Sequence, residues 1–156
     1  MRQVILVYGP PLAGKSTWVR QHARPGDMVI DFDALAVEAG SPRTHDHERR
    51  FRTAASSRRM ELERHVERMK HGRAFVIRTL GDPAERDAAA DRLGAELHLC
   101  DPGGAVCIER AHAAGRPPEV DEVIVRWYAQ HWGARALSRR ARGGRISRVH
   151  DHPGLS

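Results

Sequence analysis

Residues 9–17 read Gly9-Pro10-Pro11-Leu12-Ala13-Gly14-Lys15-Ser16-Thr17. Residue types and spacing match the phosphate-loop pattern G-x-x-x-x-G-K-S/T in full. Its glycines let main-chain amides turn inward around phosphate oxygens, and a helix that follows presents its positive end to them. Lys15 is placed to reach the β- and γ-phosphates, and the Ser16 hydroxyl suits magnesium, a hard cation that takes oxygen ligands. The chemistry expected of Gly9, Pro10, Pro11, Leu12, Ala13, Gly14, Lys15, Ser16 and Thr17 is therefore the binding of ATP or GTP with Mg2+. Among 26 basic residues only Lys15 and Lys70 are lysine, so the lysine at this position does not follow from a general basic bias.

Phosphoryl transfer to an alcohol also needs a group that takes or orients the hydroxyl proton. Asp31-Phe32-Asp33 follows a short apolar run and is the first candidate. Asp33 is expected to be that base, or else to cap a helix starting at Ala34. Asp31 is either a magnesium partner acting through water or a structural residue. Charge that gathers on the transferring phosphoryl calls for a fixed guanidinium. Arg110 and Arg116 are the candidates, with Arg78 a third. His45-Asp46-His47 and His150-Asp151-His152 hold nitrogen and oxygen ligands, but no spaced Cys or third ligand supports a metal site.

The elements that must position these residues follow from periodicity. Gln3–Tyr8 is β-branched and apolar, as a buried parallel strand is, and the loop lies at its end. Lys15 to Ala23 predicts a helix stopped by Pro25-Gly26. Asp27–Ile30, Ala74–Ile77 and Ala95–Cys100 are the next strands, and Ile146–Val149 a fifth. Between them lie helices over Ala34–Ala39, Asp46–His71, Asp82–Leu93 with Asp82 as cap and Pro83 in the first turn, and Ala105–Ala114. A further helix aligns Val120, Ile124, Trp127 and His131. Strands alternating with helices predict an α/β fold: one domain over residues 1–156 with a parallel sheet of 4–5 strands flanked by helices.

The net charge is +6 and the pI about 10.3, which favours a polyanionic partner. On the long helix, arginines are interspersed with glutamates, a solvated pattern. From residue 133 to 148, by contrast, six arginines stand without an acid. Such a run suits a nucleic-acid backbone, an oligomer contact or a disordered tail. No apolar run reaches the roughly 20 residues of a membrane span, and the apolar start is too short for a secretory signal. The expected compartment is the cytoplasm. Two cysteines, Cys100 and Cys107, are expected as free thiols.

Together the phosphate loop, Asp33 and the stretch Cys107–Tyr128 resemble the P-loop kinases related to phage polynucleotide kinase, over about residues 3–132. The resemblance implies a P-loop NTPase-type sheet and a small helical lid at about 105–118, delivering Arg110 and Arg116 over the phosphates. It further implies an Asp33 that holds the acceptor hydroxyl. Gly81-Asp82-Pro83-Ala84-Glu85-Arg86 is similar to the family's turn after strand three. Three positions depart from the family pattern. Ala36 stands where an arginine is usual, strand three ends in Arg78-Thr79-Leu80 without a carboxylate, and Arg116 follows the lid glycine instead of preceding it. The implied activity is ATP-dependent phosphorylation of a nucleic-acid hydroxyl, at a 5'-end or a hydroxymethylated base. The Asp-x-Asp turn also resembles that of small-molecule kinases of shikimate or gluconate type. The missing strand-three carboxylate also fits a nucleotide-binding regulator without transfer.

Overall fold

A computed structural model describes residues 1–141, with side chains through residue 133. The expected strand Ile146–Val149 and the triplet His150-Asp151-His152 lie outside the described residues, as do the side chains of the basic C-terminal run.

The elements, in chain order, are β1 (Arg2–Tyr8), α1 (Lys15–His22), β2 (Met28–Ile30), α2 (Phe32–Glu38), α3 (Arg49–Arg68), β3 (Gly72–Arg78), α4 (Pro83–Leu93), β4 (Glu96–Leu99), α5 (Gly104–Ala113) and α6 (Glu119–Ala141). The described strands form one parallel sheet in the order β2-β3-β1-β4. Alternation along β1 and β3 builds two cores, because successive side chains leave opposite faces. Val4, Leu6, Ala74 and Val76 join Ile30, α2, α3 and α4 on one side. Val7, Phe75 and Ile77 join α1, α5 and α6 on the other. Central strands buried on both faces must be apolar throughout, which is why Ala74–Ile77 is an unbroken apolar run.

The chain leaves β1 towards β2 on one side of the sheet and reaches β4 on the other. The carboxyl end of β1 therefore opens into a crevice, where open α/β sheets bind ligands. The phosphate loop occupies it.

The strands differ from the sequence expectation by one or two residues at their ends, and three helices differ for physical reasons. Helix α2 starts at Phe32 because Asp31 caps it, its side chain accepting from the Asp33 N–H at 3.2 Å. Helix α3 starts at Arg49 because residues 39–48 form a loop, with Asp46 in the left-handed region at φ 53°. Helix α6 continues through Gly133 to Ala141. The cap at Asp82 and the proline in the first turn of α4 are as expected, with Asp82 accepting from the Ala84 N–H at 3.0 Å. No helix among the described residues is long and apolar enough to cross a membrane.

Candidate functional site

The phosphate loop is held in shape from three directions. A Cβ on Gly9 would lie 2.2 Å from the Cys100 carbonyl oxygen, so the loop and the residue that follows β4 meet only if residue 9 is glycine. Gly14 caps α1 at φ 86° and Leu12 sits at φ 63°, a conformation that costs a non-glycine residue about 1 kcal/mol or more. Arg110 of α5 reaches across and donates to the Leu12 carbonyl at 3.1 Å, bracing that turn. No acidic residue lies in the first turn of α1, and no side chain caps it. Its leading amides remain available to an anion.

Lys15 Nζ donates to the Gly9 and Pro10 carbonyls at 2.8 and 2.6 Å. Burial pulls its pKa down to about 8, partly offset by nearby thiols and by Asp31 and Asp33. An arriving polyphosphate would reverse that desolvation cost. Cys100 and Cys107 are free and buried, and burial pushes both thiols up.

The acidic turn divides its labour. Ser16 Oγ donates to Asp31 Oδ2 at 2.9 Å, joining the loop hydroxyl to the carboxylate that follows β2. These two hard oxygen donors side by side fit magnesium. Since Asp31 is the helix cap, the expectation that Asp33 might serve only as a cap does not hold. Asp33 Oδ1 instead accepts from His47 Nε2 at 2.7 Å. His47 Nδ1 in turn meets Ser41 Oγ at 2.7 Å, and Ser41 Oγ also accepts from the Arg43 N–H at 3.4 Å. The two ring nitrogens thus join the Asp33 carboxylate to the Ser41 hydroxyl, Nε2 serving as the donor to the carboxylate. The His47 side chain is 2% exposed and that of Asp33 53%, so a buried imidazole steers a carboxylate open to the cleft.

Arg116 clamps Asp46 with two hydrogen bonds of 2.8 and 3.1 Å and holds its carboxyl below the usual range. This fork ties the loop carrying His47 to the segment that follows α5. Thus Asp46 and His47 are engaged by different partners, while His45 meets Thr44 at 3.2 Å and lies 3.7 Å from Asp46, and among the described residues no cluster suited to a metal forms. Arg78, the third arginine candidate, donates to Glu63 of α3 at 3.1 Å. Ala36 is fully buried in the core, so an arginine there would have no room.

Lys15, Ser16, Asp31, Asp33, Arg110 and Arg116 all line one open cleft of about 1600 Å³. Sequence reasoning missed two contributors. His47 was visible only as part of a histidine-rich triplet, and its link to Asp33 spans 14 residues. Arg59, also on the cleft wall, was grouped with the solvated arginines of α3. Its spacing carried a signal, since it lies four residues from each of Ala55 and Glu63, both buried.

Solved structures share this fold. A family model described as an AAA domain matches residues 4–134. Among curated proteins none matches. Among solved structures, a chain of the Pnkp1/Rnl/Hen1 RNA repair complex is similar with a TM-score of 0.66 and 11% identity, over 87% of this chain and 46% of that one. At that identity the likeness speaks for the fold, and this chain spans less than half the length of its neighbour. With the phosphate loop, the parallel sheet and the flanking helices in place, the chain belongs to the AAA domain family and has a P-loop NTPase-type fold.

Proposed function

We propose that the chain is an ATP-dependent kinase that passes the γ-phosphoryl group to a hydroxyl of a nucleic acid, at a 5'-end or on a hydroxymethylated base. The observation that carries the kinase reading is the meeting of Ser16, Asp31 and Asp33 at one cleft: a loop hydroxyl bonded at 2.9 Å to one carboxylate, and a second carboxylate held separately by His47. Basic charge and the likeness to a chain from an RNA repair complex support the choice of acceptor.

In this reading the loop amides and Lys15 hold the β- and γ-phosphates. Ser16 and Asp31 would hold magnesium, which would supply charge neutralisation at the phosphates. Asp33 accepts the acceptor hydroxyl proton as the oxygen forms its bond to the γ-phosphorus, and the bond to the β–γ bridging oxygen breaks to release ADP. Arg110 faces the loop from α5 and is placed to stabilise the transferring group. Arg116 adds positive charge to the same cleft and fixes the loop of His47 against it.

The Asp31-Phe32-Asp33 turn also suits a small-molecule kinase, and one experiment separates the readings. Label from γ-phosphate-labelled ATP is offered to DNA and RNA with free 5'-hydroxyls, to hydroxymethylated DNA and to a metabolite mixture. Transfer to a nucleic acid is the expected outcome. Label on a metabolite alone would replace the acceptor. Nucleotide binding without transfer to any acceptor would leave a regulator.

A further inference from the structure

Helix α6 carries two rows of side chains on opposite faces. Val120, Ile124, Trp127 and His131 follow a 4-3-4 spacing and are buried in the domain. Across the helix, Glu122, Val125, Ala129 and Trp132 follow a 3-4-3 spacing and are exposed. Val125 is 60% exposed and Trp132 52%, the latter edge-on to the His131 ring at 5.2 Å. Since α6 runs to Ala141, the outer row continues by the same spacing through positions 136 and 139, an alanine and an arginine. A sustained alternation of three and four is the seam along which one helix packs on another.

Single exposed apolar side chains are ordinary on a protein surface. On this row, however, they are consecutive, and charge is distributed along the helix to match. Glu119, Asp121 and Glu122 stand in the first turn, and Arg135, Arg139 and Arg140 belong to the C-terminal part. A parallel copy of the same helix would set Glu122 against Glu122 and Trp132 against Trp132. An antiparallel copy, with its two-fold axis between positions 129 and 132, sets Trp132 on the partner's Ala129 and Val125 on the partner's Ala136. It also brings Glu122 level with the partner's Arg139 and, on the flank, Glu119 level with the partner's Arg140. Each of these contacts occurs twice, as a two-fold interface requires. Antiparallel helix dipoles add to the match.

We propose that α6 is a self-association surface, pairing antiparallel with α6 of a second copy of this chain along the row from position 122 to position 139. A second copy is the occupant because this one row supplies both halves of the match. It has acid at one end and arginine at the other, and an alanine opposite each larger apolar residue. The stretch from residue 133 to 148 holds no acid of its own, and the pairing brings carboxylates to its helical part.

Sedimentation equilibrium of the full chain at rising micromolar concentration tests the pairing. The mass should move from that of one chain to that of two. Trp132→Glu should raise the dimer dissociation constant at least about tenfold, as loss of a central aromatic anchor does. Glu122→Arg and Arg139→Glu should each weaken the dimer about three- to tenfold by setting like charges opposite one another. The double variant restores opposite signs and should return to within about twofold of wild type, with helix content by circular dichroism unchanged throughout. This charge pair decides the matter should the Trp132 variant not fold. A wild-type chain that stays single at every concentration, or a double variant no better than either single one, would overturn the pairing. Unchanged mass in Trp132→Glu together with weaker oligonucleotide binding would give this face to nucleic acid and overturn it as well. Mass is read without turnover, so a failure of the acceptor assay leaves this surface standing.

Discussion

The two halves of the cleft are built by different means. On the donor side, residues 9–17 take their shape from their own backbone: a glycine pressed against β4, a left-handed Leu12, and Gly14 opening a helix whose amides have no other cap. On the acceptor side, Asp33 is aimed by a chain of side-chain contacts running through His47 to Ser41, and that loop is fastened by Asp46 to Arg116. Phosphates are alike in every nucleotide and reward a fixed backbone cradle. Acceptors differ, and side chains on a loop are the parts that change without disturbing a fold.

Asp33→Asn tests this division most sharply. Asparagine Oδ1 still accepts from His47 Nε2, so geometry survives and only the proton acceptor is lost. Turnover should fall roughly 10²–10⁴-fold while ATP affinity stays within about twofold. A parallel loss of ATP affinity, measured by calorimetry, would mean that the halves are not separate; unchanged turnover would remove Asp33 from its role.

The same division explains what could be foreseen from the sequence. The phosphate loop, the alternation of strand and helix, the Asp82-Pro83 helix start and the free cysteines were all legible, because local spacing and backbone preference determine them. The capping residue of α2 was not. Asp31 and Asp33 are chemically equal candidates, and the choice of Asp31 depends on where the strand ends and on Ser16 from another element. His47 and Arg59 were missed for a related reason. Their partners lie far away in sequence or face inward from a helix whose charges, taken together, look like a solvated surface. The departure at Ala36 was legible as a difference, but its cause, full burial against α3, belongs to packing.

The relay behind Asp33 is the next point to break. His47→Ala should lower turnover about ten- to a hundred-fold, the scale of effect expected when a reacting group is misplaced by an ångström or so. The KM for ATP should stay unchanged. His47→Gln keeps an N–H able to reach Asp33 and should recover part of the loss. Recovery is what distinguishes steering from bulk packing, since a purely structural histidine would not be rescued through one donor. A smaller effect is expected of Asp46→Ala, which frees Arg116 and loosens the loop. The acceptor KM should rise about two- to five-fold, as suits a partly exposed ion pair, with ATP binding unaltered. An equal rise in the KM for ATP would assign Arg116 to the donor side.

A further expected effect lies wholly within the donor half and concerns protons. Burial holds Lys15 at a pKa of about 8, well below its ordinary 10.5. A triphosphate against Nζ favours the ammonium and raises that value again. Binding must then take up a proton wherever the free chain has already lost it, which is at and above pH 8. Uptake should be about 0.1 proton per nucleotide at pH 7, about half a proton at pH 8 and close to one at pH 9. The same linkage lowers nucleotide affinity about tenfold between pH 7 and pH 9. Calorimetry in two buffers of different ionisation heat measures the uptake directly, and Lys15→Met provides the control, binding weakly and without a proton. Should wild-type uptake stay flat from pH 7 to 9, burial does not depress this lysine, and the ammonium meets the phosphates as it would on an open surface.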